Sequence, residues 1–215
     1  MRWKAAQGWL LGLLVAIGGA AGLMTAHQRA TFDHYVLSLS WSPQYCATDG
    51  RHDEQQCGTE RRYGFIVHGL WPQYGAGAPQ ECAGDARVGR RQIDEMLDIM
   101  PSARLIRHQW TRHGLCSGLS QREYFTAVRD AYEAVRIPRE YQGGRVTERI
   151  DIAALRSAFL RENPRLSGAG MALRCRGAYL AEVRICVDKD LRPRACRSGM
   201  RSNCGTGRIV MRSVR

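Results

Sequence analysis

Lysine is almost missing from this 215-residue chain: Lys4 and Lys189 are its only two, and arginine supplies the rest of the 32 basic residues. No acidic residue occurs before Asp33. Beyond the N-terminal stretch no segment is apolar enough to cross a bilayer, so the mature chain is expected to have no stable membrane association. No internal repeat, low-complexity tract or linker is present, which excludes solenoids and favours one domain. No CxxC pair appears among the eight cysteines, which argues against the spacing a zinc site needs. Between Asp98 and Glu123 there is no carboxylate, although the densest histidine segment lies there. A divalent-metal nuclease site is poorly supported on that ground.

What is present begins with the compartment. Met1-Arg2-Trp3-Lys4 is positive, Leu10 to Ile17 is almost wholly apolar, and the small residues Gly18, Gly19, Ala20, Ala21 and Gly22 follow. That is the layout of a secretory signal peptide, with cleavage expected near Ala20–Gly22 or after Ala26. The expected division is a signal over 1–26 and one domain over 27–215. An uncleaved anchor is the competing reading, although the apolar run is short against the ~20 residues of a span. Export implies a periplasmic or secreted protein in an oxidising compartment. Cys46, Cys57, Cys82, Cys116, Cys175, Cys186, Cys196 and Cys204 then read as four disulfides, in one of about 105 possible connectivities. The net charge of +12 points to an acidic partner, either nucleic acid or an anionic membrane surface. The plainer reading is an arginine bias that only decorates the surface.

Hydrophobic periodicity predicts an α+β fold, a mostly antiparallel central sheet packed by helices and stapled by disulfides. Tyr35, Leu37, Leu39 and Trp41 alternate with Val36, Ser38 and Ser40 in a strand over 34–41, closed by Pro43. A polar loop is expected over 46–62, a strand over 63–70 and an irregular connection over 75–89. Ile93, Met96, Leu97 and Met100 space a helix over 93–100, stopped by Pro101. Ser102 caps the next helix. Ser120 and Glu123 form a capping box for a helix over 120–135. A turn over 141–147, a helix over 151–160 and strands over 169–175, 179–187 and 208–211 complete the chain.

Two segments concentrate the chemistry. In His108-Gln109-Trp110-Thr111-Arg112-His113-Gly114-Leu115-Cys116, helical spacing stacks His108 on Arg112 and Gln109 on His113 along one polar flank, with Trp110 turned toward a core and Gly114 as the stop. Phe65-Ile66-Val67-His68-Gly69-Leu70-Trp71-Pro72 delivers a third histidine at the end of an apolar strand. His27, His34 and His52 read as ordinary structural histidines. Trp71 is either a core aromatic or a face for base stacking. Histidines five apart do not form a zinc helix pair. Two imidazoles of different protonation state can, without a metal, take the proton of an RNA 2′-hydroxyl and give one to the departing 5′-oxygen, while a cation stabilises the phosphorane. DNA lacks that hydroxyl and is expected to stay uncut.

These two segments resemble the paired active-site segments of the ribonuclease T2 family, and the resemblance runs from about Phe32 to the C-terminus, with Trp41-Ser42-Pro43 in the opening strand. The second segment is usually His-Glu-Trp-x-Lys-His-Gly-Thr-Cys. The resemblance implies a metal-independent, cofactor-free endoribonuclease acting on single-stranded RNA through a 2′,3′-cyclic phosphate, with His113 as base and His68 as acid; nothing in the sequence suggests more than a monomer. It further implies phosphate binding by His108, transition-state stabilisation by Arg112 and base stacking by Trp71. The implied disulfides are Cys46–Cys57, Cys82–Cys116, Cys175–Cys204 and Cys186–Cys196. Gln109 stands where the family usually has glutamate, and Arg112 where it has lysine. Glutamine cannot carry a proton or a charge, so reduced or re-tuned activity is expected. An RNA-binding or signalling protein with weak catalysis on the same fold is the alternative, and a membrane-damaging cationic protein a third reading.

Overall fold

The strand His34–Trp41 (β1) turns Tyr35, Leu37, Leu39 and Trp41 into the core and leaves Val36, Ser38 and Ser40 on its other face. It pairs antiparallel with Phe65–Gln73 (β2) on one side and Tyr179–Val187 (β5) on the other. In the computed structural model, which describes residues 32–75, 77–79, 82–142, 147–197 and 200–214, the sheet continues from β5 through Arg208–Met211 (β6) to Glu148–Asp151 (β3). Met171–Arg176 (β4) pairs antiparallel with β5, and among the described residues only the short β5–β6 contact is parallel. The α+β expectation holds. The expected signal segment, and residues 143–146 of the expected turn, lie outside the described residues.

Gln121–Glu133 (α5) and Ile152–Glu162 (α6) cover the apolar face. Tyr124, Phe125 and Val128 from α5 and Leu155 and Phe159 from α6 are at most 1% exposed among Leu37, Leu39 and Val67. Phe65 meets Phe159 edge-on at 5.9 Å between centroids. Each such side chain contributes roughly 1.5–3 kcal/mol on leaving water. The capping box of Ser120 and Glu123 is formed, and Asp151 caps α6, which ends before Pro164. Among the described residues no helix is long and apolar enough to cross a membrane.

Several expectations change. The loop over 46–62 holds the end of a short helix, Ser42–Ala47 (α1), opened by Pro43, and all of Glu54–Cys57 (α2), capped by Asp53. Proline and aspartate at such positions are helix starts as much as loop formers. The strand expected to stop at residue 70 runs to Gln73, and Pro72 is tolerated because β2 is an edge strand. The helix expected over 93–100 is Arg90–Asp94 (α3), followed by looser turns. The Ile99 carbonyl accepts from Val67 of β2, and Met100 precedes a proline, which disfavours helix. β3 is mostly exposed and shows no apolar alternation to read.

All four disulfides form as Cys46–Cys57, Cys82–Cys116, Cys175–Cys204 and Cys186–Cys196. Cys82–Cys116 ties the irregular connection to the end of the histidine segment. Cys186–Cys196 closes a second, small apolar cluster with Val36 and Trp71 on the sheet face opposite the helices.

Candidate active site

His68 owes its position to an irregularity in the ladder. Ser38 pairs with Gly69 and Leu39 with Val67, so His68 is the extra residue of a β-bulge, a device that re-aims a side chain. On β5, Arg174 faces Glu182 and Cys175 faces Leu180, which leaves Ala181 as a second bulged residue. Glu182 sits opposite Ser40 and Arg184 opposite Ser38 across β1–β5, so these four share one face of the sheet. The short serine side chains leave room above β1. Through it His68 Nδ1 meets Glu182 Oε1 at 2.6 Å. The other carboxylate oxygen accepts from Arg184 Nε at 2.7 Å and is ion-paired with its Nη2 at 2.6 Å.

The second segment is the helix Ala103–Arg112 (α4), capped by Ser102, whose side chain accepts from the Leu105 N–H. Ile106 and Trp110 point inward, His108 is exposed and Arg112 half-buried. The single polar flank expected for four residues is not what forms. Gln109 is 1% exposed, and its Oε1 accepts from Trp71 Nε1 at 2.8 Å. The reason is that α4 leans on β2, and Gln109 lies on the side that meets it. His113 is the C-cap residue, already out of helical conformation, so helix spacing does not govern its direction. Gly69 makes the approach possible: a Cβ there would lie 2.0 Å from Gln109 Oε1 and 2.5 Å from Trp71 Nε1. Gly114 is likewise a packing residue and not a left-handed stop, because a Cβ would lie 2.3 Å from the Trp110 ring.

Trp71 joins the two segments. Its ring centroid is 5.2 Å from that of His68 and 5.4 Å from that of His113, and the Arg184 guanidinium lies over it at 4.8 Å. The ring is 9% exposed. In this structure the ring packs against the site's own side chains. His34 and His52 stay outside this group, the first buried and the second exposed. His27 lies outside the described residues.

The electrostatics separate the site's groups. Burial pushes the His113 imidazole down to about 3, and repulsion from His108, His68 and Arg112 acts the same way. Burial also lowers His108, assisted by His68, Arg112 and Arg104. Burial opposes charge on Glu182, but the hydrogen bonds and charges of His68 and Arg184 outweigh it and bring the carboxyl down to about 2. A neutral imidazole, a carboxylate-paired imidazole and a guanidinium thus converge on one spot. A cleft of about 420 Å³ opens beside His68 and His108, walled by Tyr45, Asp53, Arg104 and Leu105. Among the described residues no group of three or more His, Cys, Asp or Glu is placed to hold a metal ion.

Glu182 and Arg184 escaped the sequence reading. Their signal was an acid and a base two apart within an otherwise apolar strand, whose interior seldom carries unpaired charge.

The chain has known relatives. The family model described as "Ribonuclease T2 family" matches residues 32–196, and the chain belongs to that family. It is an enzyme, a ribonuclease that acts on RNA. Among curated relatives, a "Ribonuclease" of Aeromonas hydrophila is 34% identical over 96% of this chain and 97% of its own length. "Ribonuclease I" of Escherichia coli is 27% identical over 87% of each. Among solved structures, an RNase-related protein from Calystegia sepium superposes with a TM-score of 0.70 at 23% identity, over 86% of this chain and 98% of its own. Trichomaglin, described as an S-like ribonuclease, gives 0.69 at 19% identity, over 86% and 99%. At such identities these two speak for the fold.

Proposed function

We propose that this chain cleaves single-stranded RNA by transphosphorylation, with no metal and no cofactor, leaving 2′,3′-cyclic phosphate ends. His113, neutral across the working range, takes the proton of the 2′-hydroxyl. The freed oxygen attacks phosphorus, the P–O5′ bond breaks, and the His68 imidazolium protonates the departing oxygen. Arg112 stabilises the added charge on the five-coordinate phosphorus. His108, the most exposed of the three histidines, donates an N–H to a phosphate oxygen. Gln109 anchors Trp71, and through it the relative placement of His68 and His113. Trp71 stacks on a base, and the cleft walled by Tyr45 and Leu105 offers a second place for one. The protein acts as a monomer in the periplasm or outside the cell, after loss of its leader.

The observation that carries this reading is the placement of His68 and His113 against one tryptophan ring, at 5.2 and 5.4 Å. The test is digestion of a defined RNA in EDTA from pH 4 to 8, with end-group analysis. Cyclic phosphate ends in chelator are expected, with a DNA of the same sequence intact. Loss of cleavage in EDTA that is restored by a divalent ion overturns the reading.

A further inference from the structure

We propose that Glu182 is a positioning residue of the reaction: it holds His68 with Nδ1 toward β5 and presents Nε2 to the leaving oxygen. The proposal rests on the assignment of His68 as the acid. Three features of the fold carry it. His68 is on a bulge, and Glu182 is one residue past another, so neither side chain follows the plain alternation of its strand. The two reach each other over β1 at Ser38 and Ser40, the two positions of that strand's upper face where a larger residue would fill the gap. The carboxylate is fixed from its far side by two Arg184 nitrogens, and Arg184 in turn lies over Trp71. Acid, carboxylate, guanidinium and indole form one continuous chain of contacts, which ends at His113.

The geometry also assigns the ring's atoms. An ionised carboxylate accepts only, so Nδ1 carries a proton whether His68 is charged or neutral. Nε2 is left as the nitrogen that meets substrate, and its proton is the one delivered. Glu182 sits in strongly positive surroundings. Arg184 pairs with the same carboxylate from β5, and His108 and His113 interact with His68 from α4 and its end. Arg104, Arg176, Asp49 and Asp53 line the cleft that His68 and Glu182 share. With a neutral amide at position 109, Glu182 supplies the negative charge in direct contact with a reacting histidine among the described residues. Removal of that charge takes the anion from Nδ1 and leaves the protonated ring without its contacting partner, with Arg184 still beside it.

A purely structural Glu182–Arg184 pair would behave differently, and the substrate's leaving group separates the two roles. The mature protein and its Glu182→Gln variant are compared on a dinucleoside phosphate and on a nucleoside 3′-(4-nitrophenyl phosphate). Nitrophenolate departs without needing a proton. On the dinucleotide, kcat is expected to fall about 10-fold or more with KM nearly unchanged, a share of the ~10²–10⁴ that a general acid supplies. The alkaline limb of its pH profile should move to lower pH. On the nitrophenyl ester the variant should stay within about twofold of the parent, consistent with an acid-specific loss. Equal losses on both substrates, or no loss on the dinucleotide, overturn the proposal. His68→Ala on the same pair tells this from failure of the underlying reading: if it too loses equally on both, His68 is not the acid. Should Glu182→Gln fail to fold, ¹⁵N spectra of the parent protein still decide. Neutral His68 must carry its proton on Nδ1, and a proton on Nε2 alone refutes the assignment.

Discussion

His68 and His113 are the same side chain in opposite surroundings. His68 stands on a strand bulge, a third exposed, with an ionised carboxylate on its Nδ1. His113 stands at a helix end, half-buried, near Arg112, His108 and His68 and with no hydrogen-bond partner on its Nδ1. The first puts a carboxylate on the ring, and the second holds the ring neutral. An enzyme that needs an acid and a base at once can therefore draw both from histidine, with the division of labour set by the backbone that delivers each ring.

The contrast is broken most severely by removal of either ring. His113→Ala and His68→Ala are each expected to lower kcat on RNA by roughly 10²–10⁴-fold while RNA affinity changes only a few-fold. Gel-based cleavage and equilibrium binding measure the two. A parallel collapse of binding would place these residues in recognition and not in chemistry. Arg112→Ala should lower kcat by about 10²-fold, as removal of one donor to a developing charge does elsewhere, and Arg112→Lys should recover most of it.

A smaller effect is expected on acid stability. The folded chain resists protonation of His113 between its ordinary 6.5 and about 3, and of Glu182 between 4.5 and about 2, while the unfolded chain accepts both protons. Stability is thus complete above pH 6.5 and declines below it, with a limiting slope of about 1.4 kcal/mol per pH unit for each group. Urea midpoints from pH 7 to 4 should fall in the parent protein, and His113→Ala should flatten that fall. An unchanged parent midpoint over this range would show that His113 takes its proton in the fold as readily as in solution.

The mildest change sharpens the comparison. Gln109→Glu retains an acceptor for Trp71 Nε1 but adds a charge close to His113, so the acid limb of kcat/KM should move to higher pH, with kcat changed less than about 10-fold. An unmoved profile would mean that position 109 serves packing alone.

How much of this was legible in the sequence follows from the range of the forces involved. β1, α5, α6 and β5 were readable because alternation, caps and a proline stop are local. The disulfides followed from family resemblance, and the reacting residues stood out for their unusual density. The bulges were not readable, since a register shift at His68 or Ala181 depends on a partner strand far away in sequence. Nor was the burial of Gln109, which depends on a glycine forty residues earlier leaving space for it. Glu182 was lost for the same reason: a lone acid in a strand shows its purpose only once His68 is seen to face it.

The central claim, that the base is held neutral by its surroundings, is tested most directly by following the His113 ring through an NMR pH titration, assigned by its loss in His113→Ala. Its ¹H–¹³C signals should stay flat from pH 8 to about 4 and move only near pH 3. An inflection near 6.5, the value of an ordinary imidazole, would contradict the account.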